Sequence, residues 1–272
     1  MSHFDITRAY NAAFDPEIDG QLMALAEYIT EEYFPPIQDY RDLHPGEPDA
    51  SGHLGPEAVR VSLHLARPRY NLIVQMLRPL KGANGADIGP AFGFLDLLLA
   101  ERYGLHIVAT EHPDNLAAYT GLLRARGIEV RPWLLGRDAC PLESGSLDFV
   151  IFAEVLEHLK LPPLRTLREV TAPLKAGGTL LLTTPNIARQ ASIDRLQRGD
   201  NILEPFREDA PPDRDVTDFV AHTREYTVRE VVELVEAAGL RITELAMCNW
   251  MDEPLHVDPL RNRYTCLLAI KE

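Results

Sequence analysis

Residues 85–93 read Gly85-Ala86-Asp87-Ile88-Gly89-Pro90-Ala91-Phe92-Gly93. The apolar segment that follows them is typical of a helix. The stretch therefore predicts a short strand, a turn that glycine permits and the start of a helix. In an α/β protein such a turn lets a ligand approach the bare backbone, and the helix N-terminus favours electron-rich groups. We expect a ligand site at this turn.

A second apolar strand follows at residues 106–111 and ends in Glu111. A carboxylate at the tip of the second strand is where a ribose diol can be held. The glycine turn and Glu111 together predict a site for a nucleoside-containing cofactor.

The glycine spacing is a poor match to a dinucleotide site. A G-x-G-x-x-G motif would place glycine at positions 89, 91 and 94, and these hold Gly89, Ala91 and Phe94. Phe94 replaces the glycine that allows tight packing of helix on strand. A Tyr-x-x-x-Lys pair for hydride transfer is also missing from the sequence. A nicotinamide-dependent oxidoreductase is therefore the disfavoured alternative.

The spacing that is present, D-x-G-x-x-x-G, resembles the first motif of class I S-adenosylmethionine-dependent methyltransferases. Three further segments resemble later motifs of that family in the same order, namely Asp138-Ala139, residues 146–150 and residues 174–180. The resemblance implies an α/β, Rossmann-like fold over residues 81–272, with a seven-stranded, mostly parallel sheet and helices on both faces. Two strand-like runs at the end of the chain predict that the sheet contains one antiparallel hairpin strand.

The resemblance also implies a set of contacts to S-adenosyl-L-methionine. Asp87, Gly89 and Gly93 would line the methionine end, Glu111 would take both ribose hydroxyls, and Asp138 would meet the adenine. The other positions that the motifs assign to the cofactor are Pro90, Ala91, Ala139, Ala153 and Glu154.

Acceptor chemistry is expected where the fourth and fifth strands end, since ligands bind there in open α/β sheets. The fourth strand runs into Ala153-Glu154-Val155-Leu156-Glu157-His158. If Glu154 begins a helix, Glu157 and His158 lie on the same face as Glu154. Two carboxylates and an imidazole gathered in this way could hold a hard metal ion.

This E-x-x-E-H pattern, with Thr184-Pro185-Asn186 and residues 222–227, resembles the small-RNA 2′-O-methyltransferases and, in part, the ubiquinone-pathway O-methyltransferases. The resemblance implies Glu154, Glu157, His158 and His222 as ligands of Mg²⁺ or another divalent cation. Such an ion would lower the pKa of a substrate hydroxyl. The alternative is that the acids only stabilise a helix N-terminus. His158 would then be a general base without metal, or a half-buried histidine whose ring nitrogen has a hydrogen-bond partner.

A polar, arginine-containing insertion spans residues 187–222. With Asn201-Ile202 and the later His222 segment, it resembles methyltransferases encoded with polysaccharide and glycan assembly genes. A saccharide or nucleotide-sugar hydroxyl is therefore the expected acceptor, with arginines available for phosphates. The alternative is a solvated loop whose arginines pair with neighbouring acids.

The amino-acid composition limits which partners the protein is expected to bind and where it is expected to be found. The 272-residue chain has a net charge of −14 and no run of lysine or arginine, which disfavours a nucleic-acid partner. The three cysteines lie far apart and do not suggest a disulfide framework or a thiolate metal site. No leader or membrane span is evident, so we expect a soluble, cytoplasmic protein that could form a homo-oligomer.

Residues 1–80 predict a helical extension that either packs on the sheet or acts as a lid. Its first helix would start at Asp15-Pro16, and Pro68 would break or kink a later one. Candidate contacts of a lid are Tyr28, Tyr33, Phe34 and Tyr40. The whole chain is interpreted as an O-methyltransferase. A methyltransferase-like binding module without catalysis is the remaining alternative.

Overall fold

The computed structural model describes residues 4–32, 56–116, 121–202 and 222–272. Within them the strands in chain order are β1 (Tyr10–Asn11), β2 (Asn84–Ile88), β3 (His106–Glu111), β4 (Glu129–Pro132), β5 (Leu147–Ala153), β6 (Leu174–Pro185), β7 (Leu240–Cys248) and β8 (Tyr264–Lys271). The α-helices are α1 (Pro16–Glu32), α2 (Pro56–Leu77), α3 (Phe94–Tyr103), α4 (Gly121–Ala125), α5 (Pro163–Thr171), α6 (Gln190–Gln197) and α7 (Val228–Ala237).

These strands form one sheet in the order β1-β7-β8-β6-β5-β2-β3-β4. Among them β8 runs antiparallel to both of its neighbours, and the other pairs are parallel. Strands β2, β3, β5 and β6 therefore end at one edge, which we call the carboxyl edge. The predicted α/β fold and its antiparallel final hairpin are confirmed.

The sheet has one strand more than the seven expected, because the N-terminal extension contributes β1. Tyr10 and Asn11 pair in parallel with Ala246 and Met247 of β7. A two-residue strand has too little alternation of apolar and polar side chains to be recognised in a sequence.

Side chains of β5 alternate between two halves of the hydrophobic core. Phe149 and Ile151 face the half that contains α1, α2, α3 and α4, whereas Val150 and Phe152 face the half that contains α5 and α7. All four side chains are fully buried. A strand covered by helices on both faces is apolar on both faces, which explains its continuous apolar run.

The N-terminal helices pack directly on this core. The Asp15 carboxylate accepts hydrogen bonds from the backbone N–H groups of Glu17 (2.9 Å) and Ile18 (3.3 Å), as expected for a helix start. Helix α2 continues through Pro68 as one helix instead of ending there. None of the described helices is long and apolar enough to cross a membrane. The proposed lid residues Tyr33, Phe34 and Tyr40 lie outside the described residues.

Helix α7 starts with a complete capping box. The Thr227 hydroxyl accepts a hydrogen bond from the Glu230 backbone N–H (3.2 Å), and the Glu230 carboxylate accepts one from the Thr227 backbone N–H (2.8 Å). The buried face of α7 contacts the core through Val231, Val232 and Val235. The capping box therefore helps to keep these valines packed on the sheet, and so contributes to the stability of the fold.

We predict that Thr227→Ala lowers the free energy of unfolding by about 1 kcal/mol, because it leaves backbone donors of the first turn without their acceptor. Urea denaturation measures the change. Thr227→Ser is the control, since it keeps the hydroxyl and should unfold close to the wild-type midpoint. An alanine variant as stable as the serine variant would contradict the role of the cap.

Candidate functional site

The turn between β2 and α3 requires its two outer glycines. Gly89 and Gly93 have left-handed backbones, with φ of 77° and 72°. A Cβ at Gly89 would lie 2.7 Å from a methyl carbon of Val155, and one at Gly93 would clash with the Leu123 side chain. Both the backbone and the available space therefore exclude larger residues. The two glycines let the Val155 and Leu123 side chains pack directly on the backbone of the turn.

Ala91 also has a left-handed backbone, with φ of 50°. This is the position at which the resembling motif has its middle glycine. The methyl group is exposed, so it fits, but a non-glycine residue pays roughly 1–2 kcal/mol for this conformation. The departure from the motif is therefore tolerated with some backbone strain.

Glu111 lies buried at the tip of β3 and is tied to the glycine turn. Its carboxylate accepts hydrogen bonds from the His112 backbone N–H (2.8 Å) and the Asn115 side chain (3.3 Å). The Ala91 backbone N–H is a further donor. Burial raises the pKa of Glu111, and these hydrogen bonds lower it again in part. The structure thus brings Glu111 to the turn, and its contact with a ribose stays a prediction.

Asp87 and Asp96 form a buried pair of carboxyl groups beneath the turn. Asp87 is the second-to-last residue of β2 and is buried, and Asp96 lies in the first turn of α3 and is fully buried. Burial, then the charges of Asp96 and Glu111, raise the pKa of Asp87 well above its usual range. Burial also raises the pKa of Asp96, to about 7. Neither carboxyl oxygen of Asp96 has a hydrogen-bond donor among the described residues, so the charged form of this buried group is disfavoured.

Asp138 and Ala139, the residues expected at the adenine, are exposed. The Asp138 carboxylate accepts a hydrogen bond from the Leu134 backbone N–H at 3.2 Å, which closes a short turn after β4. One oxygen of Asp138 therefore has a structural role already. The contact with adenine stays a prediction.

The predicted helix start at Glu154 is wrong. Glu154 follows Ala153, the half-buried last residue of β5, and has a left-handed backbone with φ of 56°. A 3-10 turn begins only at Leu156. The Glu154 carboxylate forms an ion pair with Arg69 of α2 and accepts a hydrogen bond from the Thr183 hydroxyl at 2.9 Å. It therefore points to different partners from those of Glu157.

Glu157 is fully buried in that 3-10 turn. One carboxylate oxygen accepts a hydrogen bond from the Thr184 hydroxyl at 3.0 Å, and the other has no hydrogen-bond donor among the described residues. Burial raises the pKa of Glu157 well above its usual range, and the Glu154 charge adds to the effect. An oxygen without a donor at this depth is suited to a cation or a polar ligand.

His158 and His222 lie beside Glu157. Nε2 of His158 is 3.9 Å from the second Glu157 oxygen, and the His158 and His222 rings meet edge to face with centroids 5.0 Å apart. His222 is held in turn by the Glu225 carboxylate, 2.9 Å from its Nδ1. Backbone contacts fix this arrangement, since the Thr223 N–H donates to the Glu157 carbonyl at 2.8 Å.

Three of the four predicted metal ligands are therefore brought together. One ligand atom each from Glu157, His158 and His222 lies within 4.8 Å of the others. Glu154 is not part of this cluster, because its left-handed backbone directs the carboxylate to Arg69.

Two contributors to the site were missed by reasoning from sequence. Arg69 of α2 pairs with Glu154, although nothing in its local pattern distinguishes it from other helix-surface arginines. Asp96 lies within the apolar start of α3, and a lone acid in such a segment is the one signal that could have revealed it.

Comparisons with known proteins agree with this architecture. Residues 63–245 match a family model described as a methyltransferase domain. The tRNA U34 carboxymethyltransferase of Desulfotalea psychrophila is 30% identical over 123 residues, which are 44% of this chain and 38% of that protein. The chain thus matches well under two thirds of that relative's length.

Solved structures of similar fold include a SAM-dependent methyltransferase from Methanosarcina mazei, with a TM-score of 0.53 and 18% identity over 73% of this chain and 96% of that one. A methyltransferase in complex with the Haloferax volcanii Trm112 activator has a TM-score of 0.53 and 14% identity, covering 76% and 88% of the two chains. At these identities the likeness shows the fold alone.

We predict that the protein binds S-adenosylhomocysteine and not NAD, and that Glu111→Ala weakens this binding about tenfold or more, because a charge-assisted hydrogen bond is worth roughly 1.5–3 kcal/mol. Calorimetric titration measures both affinities. Glu129→Ala is the control, since Glu129 is an exposed acid on the neighbouring strand. Equal affinity of the two variants would remove Glu111 from the cofactor site.

We also predict that Asp96→Asn stabilises the protein above pH 7. Burial raises the pKa of Asp96 from 3.8 to about 7, so as the pH rises through this window the unfolded state loses its proton first and the fold loses stability. Asparagine removes this penalty of about 1 kcal/mol or more, since one pKa unit corresponds to about 1.4 kcal/mol.

Urea unfolding at pH 8 and at pH 4 measures the difference in the free energy of unfolding between Asp96→Asn and the wild type. This difference should be smaller at pH 4 than at pH 8. The exposed acid Asp200 provides the control, and Asp200→Asn should track the wild type at both pH values. A pH-independent effect of Asp96→Asn would show that Asp96 is not a raised, buried acid.

Proposed function

Because the chain belongs to the methyltransferase-domain family, we propose that it transfers the methyl group of S-adenosylmethionine to a hydroxyl oxygen of a small polar acceptor. The observation that carries the proposal is the position of His158. Its imidazole lies just past the end of β5, half-buried, beside Glu157 and His222. The segment that holds it packs on the glycine turn through Val155.

In the proposed reaction the acceptor oxygen attacks the methyl carbon in line with the carbon–sulfur bond. The new oxygen–carbon bond forms as the bond to sulfur breaks, and the sulfur keeps the electron pair as the neutral thioether of S-adenosylhomocysteine. His158 takes the hydroxyl proton. Much of the rate in such a transfer comes from holding the two reacting atoms in near-attack geometry.

Glu157 and His222 support His158 in this role. Nε2 of His158 lies 3.9 Å from a carboxyl oxygen of Glu157. Burial raises the pKa of Glu157, so its ionised form and the imidazolium that forms on proton transfer would stabilise each other as a pair. His222 packs against the same ring and is itself fixed by Glu225. The base is therefore held in one orientation before the acceptor binds.

The donor set also fits a divalent cation. Glu157, His158 and His222 would hold it, and the Glu157 oxygen without a donor among the described residues is the atom that suggests it. Carboxylate and imidazole ligands suit several divalent metals. A bound ion would supply Lewis acidity that lowers the pKa of the acceptor hydroxyl. Glu154 would not contribute, since Arg69 and Thr183 occupy its oxygens.

A saccharide or nucleotide-sugar is the acceptor class that we favour. The net charge of −14 suits a small polar acceptor better than a polyanion. Arginines of the insertion offer contacts to phosphate, although Arg189 is already paired with Glu225. Arg195 and Arg198 are exposed on and after α6, and Arg207 and Arg214 lie outside the described residues.

A tRNA acceptor is the second candidate, and the similarity to a tRNA-modifying enzyme supports it. The acidic composition argues against it, because binding to nucleic acid depends largely on lysine and arginine contacts with phosphates. Transfer of a labelled methyl group to sugars, nucleotide-sugars and tRNA separates the two. Labelling of tRNA alone would replace the saccharide proposal.

Once an acceptor is identified, we predict that His158→Ala lowers the rate of methyl transfer by about a hundredfold or more, which is the usual contribution of a general base. The affinity for S-adenosylhomocysteine should be nearly unchanged. His106→Ala is the control, since His106 is exposed at the opposite edge of the sheet. Loss of activity in EDTA, matched by Glu157→Gln, would establish the metal. Full activity of the wild type in EDTA, together with full activity of Glu157→Gln, would indicate that His158 acts as a base without metal. A fully active His158→Ala variant would refute the mechanism.

A further inference from the structure

The Glu225 carboxylate lies between two nitrogen-bearing side chains, one at each of its oxygens. Nδ1 of His222 is 2.9 Å from Oε1, and the Arg189 guanidinium forms an ion pair with Oε2. The side chains of Arg189 and Glu225 are only 15% and 13% exposed, so water has little access to these contacts. Each oxygen of the carboxylate therefore has a partner of its own.

The backbone on both sides of the insertion brings this ion pair together. Arg189 immediately precedes α6 near the start of the insertion, and Glu225 follows its end. Asn186 and Tyr226 form a parallel bridge, and the Ile187 N–H donates to the Tyr226 carbonyl at 3.0 Å. The Arg189 guanidinium also donates to the Asn186 carbonyl at 3.3 Å. The two charged side chains are therefore held in place from both ends of the insertion.

The hydrogen-bonding capacity of these groups decides which nitrogen of His222 carries the hydrogen. A guanidinium is always charged and only donates, so it favours the ionised form of the adjacent Glu225 carboxyl group. An ionised carboxylate only accepts, and its contact with Nδ1 is therefore a hydrogen bond only if Nδ1 carries the hydrogen. A neutral imidazole with its hydrogen on Nδ1 has a lone pair on Nε2.

We propose that Glu225 is a positioning residue, which holds His222 in the Nδ1–H tautomer so that Nε2 can offer its lone pair to a divalent cation. The ligand atoms that His222, Glu157 and His158 offer lie within 4.8 Å of one another. Metal-binding histidines commonly donate their second ring N–H to a carboxylate, which fixes the ring and its tautomer. The use of the lone pair rests on the proposed function, whereas the tautomer does not.

A substitution of nearly the same shape that reverses the hydrogen bond provides the test. In Glu225→Gln, Arg189 should keep the amide oxygen, because arginine has only donors, and the amide NH₂ group then faces His222. Since NH₂ donates, Nδ1 must accept and the hydrogen moves to Nε2. We expect nitrogen-15 NMR at about pH 9, where an ordinary imidazole is neutral, to show Nδ1–H in the wild type and Nε2–H in the variant. The spectrum of His222→Gln identifies the signal among the nine histidines.

Arg189→Gln is the matched control, since it removes the ion pair but keeps the carboxylate beside His222. This variant should retain the Nδ1–H tautomer. Calorimetric titration with Mn²⁺ alone gives a second measurement. Glu225→Gln should bind Mn²⁺ at least about tenfold more weakly than the wild type, whereas Arg189→Gln should stay within about twofold of it.

An Nε2–H tautomer in the wild type, an unchanged tautomer in Glu225→Gln, or equal affinity of the two variants for Mn²⁺ overturns the inference. Circular dichroism establishes that each variant is folded. If Glu225→Gln does not fold, the double variant Arg189→Gln with Glu225→Ala decides, since it leaves no lone buried charge. It should lose the Nδ1–H tautomer, because Nδ1 no longer has an acceptor. A wild type that shows Nδ1–H but binds no Mn²⁺ would count against the cation of the proposed function instead.

Discussion

The contact between the Gly89 backbone and the Val155 side chain is the constraint on which the rest of the carboxyl edge depends. Because residue 89 has no side chain, the segment after β5 packs directly on the turn after β2. The chain leaves β5 through Glu154 in a left-handed conformation, and the following 3-10 turn then buries Glu157 against Thr184. The absence of a side chain at residue 89 thus places the glycine turn and the proposed base next to each other.

The fold could be predicted because its signals are local. The glycine turn, the apolar run of β5 and the Thr227–Glu230 capping box each specify an element through residues that are adjacent in sequence. The mostly parallel sheet followed from the alternation of these elements. Strand β1 could not be predicted, since two residues carry no period and their partners lie more than two hundred positions away.

The site was predictable only in part, because its remaining features depend on contacts between distant residues. The resemblance to metal-dependent methyltransferases implies Glu157, His158 and His222 as one group, and their ligand atoms do lie close together. Glu154 was assigned to the same group because a helix was assumed, and its backbone conformation is set by packing that the sequence does not display. Arg69 joins the site from a helix that carries no recognised motif, so only the folded chain reveals it.

The pairing of β1 with β7 bears on the order in which the protein acquires its structure during synthesis. The partners of residues 10 and 11, Ala246 and Met247, are made more than two hundred residues later. Pairing across so long a separation is slow to form, because the intervening chain must first be confined. We therefore expect β1 to remain unpaired and accessible to chaperones until the last two strands of the sheet, β7 and β8, have been synthesised.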